Sequence, residues 1–502
     1  MSTAFSAAAK NLPPTLPNVV WALSAVFPPL KQPQLSSAAV SSHPFPGGRG
    51  AADKYLTHFQ DMPEAWTVCD ALLSSVTNTN TNNTNPSHLF FAAQTLHVKC
   101  REHACGIRQL PPDSLDSLRD GLIRHLRNLE RHDGNGNVGG SNRALTTRLA
   151  MALSALAVQM SWETAPTDIL RLAGLSAGEG GGISRATVLD LLSSLPEETD
   201  SRRLVLPDER TRDSYRGGLR AAAPQVLPYL DLCISERDTK SGNNDAVAVA
   251  SLRCFSIWVR VVDMPSSLVA TCLLLHRCFE ALQDPDHSSS DFFEAAVDAV
   301  IGILRVYHHV NVDSNATDDA LVRSMSSAVM ALRPKFEAAM ALAVQNTSAG
   351  GGFDGYCDQE DLLRGHCRIF TEMGESYMGL ILNERDMGQM ALVDLVLASS
   401  AIPDHEIASI TLNFWYRFVH GLESLEPMSY RYARIDHYAP VVHRLLNICA
   451  KLLQYPEGEE DDISPDRMDD IRRDRYYVRD TVEDCCRVLG GNAVLNQVSI
   501  SS

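Results

Sequence analysis

The sequence predicts an all-α protein in which pairs of helices stack side by side as a solenoid. Apolar residues recur at helical spacing along almost the whole chain, whereas the strict alternation typical of β-strands is nearly absent. Polar or glycine-rich connectors, such as 133–142, 178–182 and 348–355, separate the helical stretches. One amphipathic pair cannot bury its apolar faces alone, so each pair must cover its neighbours.

The predicted helices are apolar stripes, and two of them follow clear helix-start signals. The first begins at Pro63, because proline is favoured at the first helical position, and it places Trp66, Cys69 and Leu73 on one face. A second clear start is Ser114, with Asp116 in the first turn. The predicted helices are 63–76, 87–98, 114–131, 143–160, 187–195, 245–262, 266–282, 290–310, 320–344, 360–382, 387–399, 405–422, 438–453 and 469–489.

The length of the helical region predicts the number of repeats. HEAT and armadillo repeats take about 40–47 residues each, so the span from Leu16 to Leu489 would hold about ten. The repeats share no sharp consensus, so the periodicity predicts the architecture and leaves the function open.

Composition narrows the classes of partner. The chain has 502 residues, with 44 Lys and Arg against 61 Asp and Glu, which gives a formal net charge of −17. Binding to phosphate backbones or anionic membranes needs an excess of basic residues, so the acid excess argues against both and favours basic protein partners. No apolar run reaches the roughly 18 residues of a membrane span. The twelve scattered cysteines suit a reducing compartment.

Two short sequence patterns contain residue types that are found in catalytic or metal-binding sites. Residues 174–178 match the G-x-S-x-G elbow around Ser176, but no strand precedes them and no α/β alternation follows, so we expect an interhelix loop. His97, Cys100, His103 and Cys105 are suitable zinc ligands, but one helix would spread them around its circumference. The sequence therefore predicts a binding protein that is not an enzyme and has no metal or cofactor.

The composition of the first fifty residues leaves open a second cellular location for the protein. They contain no acidic residue before Asp53 and many Ser and Ala, a composition typical of organelle transit peptides. Prolines such as Pro13, Pro14 and Pro17 would interrupt an amphipathic targeting helix. Delivery to an organelle therefore stays an alternative to the location given below.

Seven segments, in order along the chain, carry short motifs of one known family. The most specific is HLFFAAQTL at 88–96. The other segments are 63–73, 110–122, 159–162, 192–198, 367–372 and 413–417. Together they resemble the transportin-SR and importin-13-like branch of the importin-β family of nuclear transport receptors, in which the helix similar to 88–96 has the pattern YFAAQTM.

The resemblance implies a right-handed superhelix of HEAT repeats with B helices on its concave side. It also implies the function of that family: import of cargo through the nuclear pore, with release when the GTP form of the small GTPase Ran binds. The implied partners are Ran, serine/arginine-rich or other basic cargo proteins, and nucleoporins, with shuttling between cytoplasm and nucleus. A helical scaffold that binds a basic protein without Ran dependence is the alternative function.

The resemblance also assigns regions and residues. It implies the N-terminal half of a longer receptor, with a tail at 1–15, Ran-binding repeats at 16–160, central repeats at 161–490 and a tail at 491–502. The segments 77–85, 133–142 and 348–355 are extra loops relative to the family.

Seven residues are candidate partner contacts. The resemblance places Phe90, Gln94 and Lys99 on an early B helix, as contacts for Ran. A solvated acidic loop is the candidate surface for a basic partner, since opposite charge increases the rate of association. Its residues are Glu459, Glu460, Asp461 and Asp462.

Overall fold

The computed structural model describes residues 12–27, 45–78, 85–102, 105–133, 141–174, 182–206, 208–235, 245–284, 289–308, 317–348, 357–383, 389–402, 404–453, 465–492 and 494. Every regular element within these ranges is a helix, which confirms the predicted all-α class. The chain divides into two compact units, 1–263 and 264–502. The predicted functional boundary between 160 and 161 falls inside the first unit and stays a prediction.

The first unit contains ten α-helices among its described residues. They are α1 (Leu16–Val26), α2 (Gly48–Asp61), α3 (Glu64–Asn78), α4 (Pro86–Arg101), α5 (Ser114–Asp133), α6 (Ser141–Gln159), α7 (Ala165–Gly174), α8 (Arg185–Asp200), α9 (Glu209–Ser235) and α10 (Asp245–Val261). A short 3-10 turn, Ile107–Gln109, lies between α4 and α5.

These helices form two rows in the first unit. Helices α4, α6, α8 and α10 each pack against the next and form row B. Helices α3, α5, α7 and α9 form row A, and each packs against the row B helix that follows it in the chain. This arrangement confirms the predicted stacking of helix pairs, because each pair contributes one helix to each row. We call the side of row B turned away from row A the open face.

Helix α6 shows why the pairs must stack. All seven residues at 152–158 are buried, including Leu153 and Leu156, so the helix is apolar on every side. It packs against α4, α5 and α8 at once. Each fully buried leucine contributes about 2 kcal/mol of burial free energy, which is lost if a neighbouring pair is removed. The Ser154 and Ser194 hydroxyls, 2.6 Å apart, join α6 to α8 without leaving a polar group unpaired.

The second unit contains twelve α-helices among its described residues. They are α11 (Ser266–Ala270), α12 (Leu273–Gln283), α13 (Ser290–Val306), α14 (Thr317–Met330), α15 (Arg333–Ser348), α16 (Cys357–Ser376), α17 (Met378–Leu382), α18 (Gln389–Ser400), α19 (His405–Ser409), α20 (Leu412–Glu423), α21 (Met428–Leu452) and α22 (Pro465–Leu489). Helix α16 packs against α13, α15, α18 and α20 and is the centre of this unit.

Close approach to α16 depends on two glycines. A Cβ atom on Gly365 would lie 2.6 Å from the Phe293 ring of α13. A Cβ atom on Gly374 would lie 2.7 Å from the Phe414 ring of α20. Real Cβ atoms do not come this near to ring carbons, so both neighbours pack directly against the bare backbone of α16.

The boundaries of several helices differ from the prediction. The predicted helices 266–282, 320–344, 360–382 and 405–422 are each two helices with a break of one or two residues between them. The structure adds α1, α2, α7 and α9, which are not among the helix ranges predicted above. Helix α9 contains Pro224 and Pro228 and still continues, because a line of buried residues that includes Leu219, Val226 and Leu230 anchors it.

Helix α21 begins ten residues before the predicted start at 438. Its first half is held against the end of α17 by three side chains. The Tyr430 hydroxyl donates to the Leu382 carbonyl at 3.0 Å, and Arg434 Nη2 and the Tyr438 hydroxyl each donate to the Ile381 carbonyl at 2.8 Å. These bonds satisfy carbonyls that the C-terminal turn of α17 leaves without helical partners.

Several predictions fall outside the described residues. They concern 1–11 of the predicted tail, the central parts of the three extra loops, Ser176, His103, the acidic residues 459–462 and most of 491–502. Residues 16–26, by contrast, belong to the folded first unit, because Val19, Ala22 and Leu23 are fully buried and α1 packs against α2.

Candidate partner-binding face

A stripe of exposed side chains follows α4 on the open face. Phe90 and Val98 are exposed by 38% and 36%, and Gln94 between them is half-buried. The three residues share one side of the helix because they are four positions apart. The opposite side of the same helix is buried, at Ala92, Ala93 and Leu96 among others. Phe90 and Gln94 are therefore accessible to a partner, and their role as Ran contacts stays a prediction.

Arg148 of α6 lies over this stripe. The carbon atom of its guanidinium is 5.6 Å from the centre of the Phe90 ring, a cation–π distance. Its Nη1 also donates to His97 Nδ1 at 3.4 Å. Arg148 cannot be identified from the sequence alone, because it lies on a different helix from Phe90 and no local pattern pairs the two residues.

A buried set of polar groups supports Arg148 from below. His97 and Glu198 are 1% and 2% exposed, and His97 Nε2 is 3.2 Å from Glu198 Oε1. Arg101 Nε donates to Glu198 Oε2 at 2.8 Å, and its Nη2 bonds to the other oxygen. Through Glu198, the set joins α4 to α8.

The pKa shifts assign the protons in this set. Burial lowers the pKa of His97 below its ordinary value, partly offset by the bond to Glu198, so the ring is neutral. A neutral ring that donates from Nε2 to Glu198 must accept at Nδ1, where the Arg148 N–H points. Burial alone would raise the pKa of Glu198, but bonds from His97 and Arg101 lower it, so the carboxylate is charged.

Lys99, the third predicted Ran contact, is buried. Its ammonium donates to the carbonyls of Gln60, Met62 and Cys105 at 2.9–3.2 Å and to Gln109 Oε1 at 2.8 Å. It also lies 5.2 Å from the centre of the Trp66 ring. With 1% exposure, the side chain joins α2, α4 and the turn before α5, and a partner could reach the ammonium only if these bonds broke.

The neighbouring helices of row B add charge to the open face. Asp190 of α8 accepts from Arg143 Nη2 at 2.7 Å and from the Thr147 hydroxyl at 3.3 Å, both on α6. Burial raises the pKa of Asp190, and Arg143 opposes that shift.

The residues of the sequence-predicted chemical patterns do not come together as a reactive site. Cys100 is fully buried and burial raises its pKa, whereas Cys105 is exposed and His97 is bonded to Glu198. Within the described ranges, no three His, Cys, Asp or Glu side chains are placed to hold a metal ion. Also within those ranges, none of the helices combines the length and the hydropathy needed to cross a bilayer.

The second unit carries an ion-pair surface on α13 and α16. Arg368 of α16 bonds to both Glu294 and Asp298 of α13, the latter at 2.6 Å. A second ion pair has the cation on α13 and the anion on α16: Arg305 of α13 bonds to Glu372 of α16 at 2.7 Å. Glu294 and Asp298 are each about half exposed in spite of these bonds, which leaves carboxylate oxygen accessible to a second cation.

The comparisons with known proteins agree with this architecture. Residues 358–451 match the family model described as Transportin-3/Importin-13 second TPR domain, and residues 142–300 match the one described as Exportin 1-like protein. The solved structure of importin-13 in its cytosolic state superposes on 77% of this chain with a TM-score of 0.56 and 14% identity. That similarity shows a shared fold, over 43% of the importin-13 chain.

The curated relatives align with most of this chain, but the chain spans less than half of the length of each relative. The mRNA transport regulator MTR10 of Saccharomyces cerevisiae is 26% identical over 91% of this chain and 43% of its own. Importin-13 of Gallus gallus is 26% identical over 88% and 42%. Transportin MOS14 of Arabidopsis thaliana is 25% identical over 91% and 44%. These matches confirm the resemblance of this chain to the transportin-SR and importin-13-like branch of the importin-β family.

Proposed function

We propose that this chain acts in nuclear transport as part of an importin-β family receptor that binds the GTP form of Ran and basic or serine/arginine-rich cargo. The observation that carries this proposal is the similarity to importin-13 and two further transport proteins over about nine tenths of the chain. The two-row stack supports it, because row B exposes side chains such as Phe90 and Val98 on the open face. We expect such a receptor to pass the pore by contact with nucleoporins and to shuttle between cytoplasm and nucleus.

The proposed work is binding rather than catalysis. Transport requires that cargo and GTPase affect each other's affinity, and this coupling is a free energy between two binding sites. Stacked helix pairs can transmit it, because each repeat contacts only its neighbours and small rotations between repeats add up. The acid excess of the chain would increase the rate of encounter with basic partners.

A pull-down with locked forms of Ran tests the proposal. The full chain is immobilised and incubated with Ran loaded with either a non-hydrolysable GTP analogue or GDP. We expect retention of the GTP form only. Substitution of Phe90 and Gln94 by alanine should reduce that retention if the open face of α4 contributes, whereas equal or absent retention of both forms by the unaltered chain would contradict the function.

The alternative is a helical scaffold for a basic protein without Ran dependence. The accessible carboxylates of Glu294 and Asp298 favour it, because they line one surface of the second unit. It predicts that an arginine-rich peptide binds equally well with and without GTP-loaded Ran, and that raising the salt concentration weakens binding steeply. Binding that is insensitive to salt would exclude this alternative.

A further inference from the structure

One end of the open face carries a cation that has no ion-pair partner among the residues the structure describes. The guanidinium of Arg148 is fixed by the Phe90 ring and by His97 Nδ1. In the part of the chain that the structure describes, it forms no ion pair with a carboxylate, whereas Arg101 and Arg143 on the same face are paired with Glu198 and Asp190. A planar guanidinium held in one orientation keeps its remaining donors available for an external carboxylate.

A second group of basic residues lies at the C-terminal end of α4. The loop 201–206 is tied to this end, because the Val205 amide donates to the Arg101 carbonyl at 3.0 Å and Gln159 Nε2 donates to the Val205 carbonyl at 2.9 Å. Arg202 and Arg203 of this loop are exposed, and neither forms an ion pair within the described ranges. The Val205 side chain is 52% exposed beside them.

The distance between the two groups fits an extended peptide. Phe90 and Arg101 are about 16 Å apart along α4 at 1.5 Å per residue. An extended chain of about five residues covers that length at 3.3 Å per residue. Between the two ends the helix presents Gln94 and the exposed apolar Val98.

From this arrangement, we propose that the strip formed by Phe90, Arg148, Val98 and the loop 201–206 is a docking site for an extended acidic segment of a partner protein. One carboxylate of the segment bonds to Arg148 beside the Phe90 ring. Apolar side chains of the segment cover Val98 and Val205, and a second carboxylate meets Arg202 and Arg203. This site shares Phe90 with the predicted Ran contacts, and it goes beyond the proposed function because its partner presents an acidic segment rather than a basic surface.

His97 and Glu198 act as positioning residues for this site. Glu198 accepts the Nε2 proton of His97 and so fixes the tautomer that accepts from Arg148. Without that acceptor, the guanidinium would lose the bond that holds it beside Phe90. The carboxylate of the partner would then have to order a mobile side chain on binding.

Two labelled peptides test the site on the full chain. The first has glutamates at both ends and three leucines between them, and the second has glutamines in place of the glutamates. By fluorescence anisotropy we expect the glutamate peptide to bind at least about tenfold more tightly, since hydrogen bonds to charged groups exceed neutral ones. Arg148→Gln should reduce that difference severalfold, because only the contact at the other end of the strip remains, whereas Arg143→Gln, which alters an arginine already paired with Asp190, should preserve it.

Equal affinity of the two peptides for the unaltered chain would overturn the proposal. A preference that survives both Arg148→Gln and the double substitution of Arg202 and Arg203 by glutamine would overturn it as well. Arg148 is half-buried at the surface, so circular dichroism of Arg148→Gln should show an unchanged fold. For the positioning role, His97→Leu should reduce the preference and His97→Gln, which keeps a donor and an acceptor, should restore it; an equal loss in both would contradict that role.

Discussion

Single buried polar side chains hold elements of each unit together. Lys99 joins two helices and a turn, Glu198 joins two helices of row B, and Arg434 holds the end of α17. Lys99 and Glu198 each have several hydrogen bonds to polar groups, as burial of a charge requires. Their contacts lie up to 101 positions away in the chain, so the local sequence around them does not reveal their role.

Replacement of Lys99 tests its structural role. Lys99→Met preserves the volume of the side chain but leaves the carbonyls of Gln60, Met62 and Cys105 without their common donor. We expect the free energy of unfolding to fall by about 2–3 kcal/mol, the cost of leaving buried acceptors unsatisfied. Urea denaturation would measure it, with Gln94→Ala as a control that should change the value by less than about 0.5 kcal/mol. An equally small effect of Lys99→Met would contradict the structural role.

His366 predicts how the stability of the second unit depends on pH. Burial lowers the pKa of His366 from 6.5 to about 4, and its Nε2 donates to the Leu282 carbonyl at 3.1 Å. As the pH falls, His366 is therefore protonated near pH 6.5 in the unfolded chain but only near pH 4 in the folded chain. The contribution of the neutral His366 ring to the free energy of unfolding is fully present above pH 6.5 and is lost progressively as the pH falls towards 4.

The size of the effect follows from the two pKa values. Between pH 7.5 and 5.5 the folded chain should lose about 1.4 kcal/mol through this residue, about one pKa unit of linkage. His366→Phe keeps a ring among Phe293, Phe336 and Phe370 and cannot titrate. Urea denaturation at both pH values should show a smaller loss in the variant by that amount, and an identical pH dependence of the two proteins would refute the assignment.

For the helices, the apolar pattern of the sequence predicted the all-α fold class and the positions of most helices. Apolar periodicity is a local property, and it located helices such as α4, α5 and α13 to within a few residues. It could not predict the continuation of α9 through two prolines or the early start of α21, because distant contacts stabilise both segments. The breaks inside four predicted helices were also missed, since the apolar pattern continues across them.

Gly374 tests the close packing of α16 on α20. Gly374→Ala would place a methyl group 2.7 Å from the Phe414 ring, which is fully buried against Trp415 and Phe418. Because the ring cannot move away, we expect a loss of about 2 kcal/mol in the free energy of unfolding. Gly379→Ala, where no atom lies within 4 Å of the added methyl, is the matched control. Thermal unfolding that is the same for both variants would show that α20 does not approach α16 this closely.

At the scale of the whole molecule, the fold was more predictable than the binding surface. The spacing of Phe90 and Gln94 shows that they share a helix face, and both are accessible in the structure. The burial of Lys99 and the position of Arg148 depend on elements that meet only in the folded unit. The resemblance to nuclear transport receptors came from short motifs, because segments in the same order along the chain hold information that periodicity lacks.

The affinity of the chain for Ran in its two nucleotide states decides whether the chain acts as a transport receptor. Isothermal titration calorimetry would compare Ran bound to a non-hydrolysable GTP analogue with Ran bound to GDP. We expect the GTP form to bind at least about a hundredfold more tightly, equivalent to about 2.7 kcal/mol of discrimination. The same affinity for both forms, or no measurable heat with either, would contradict it.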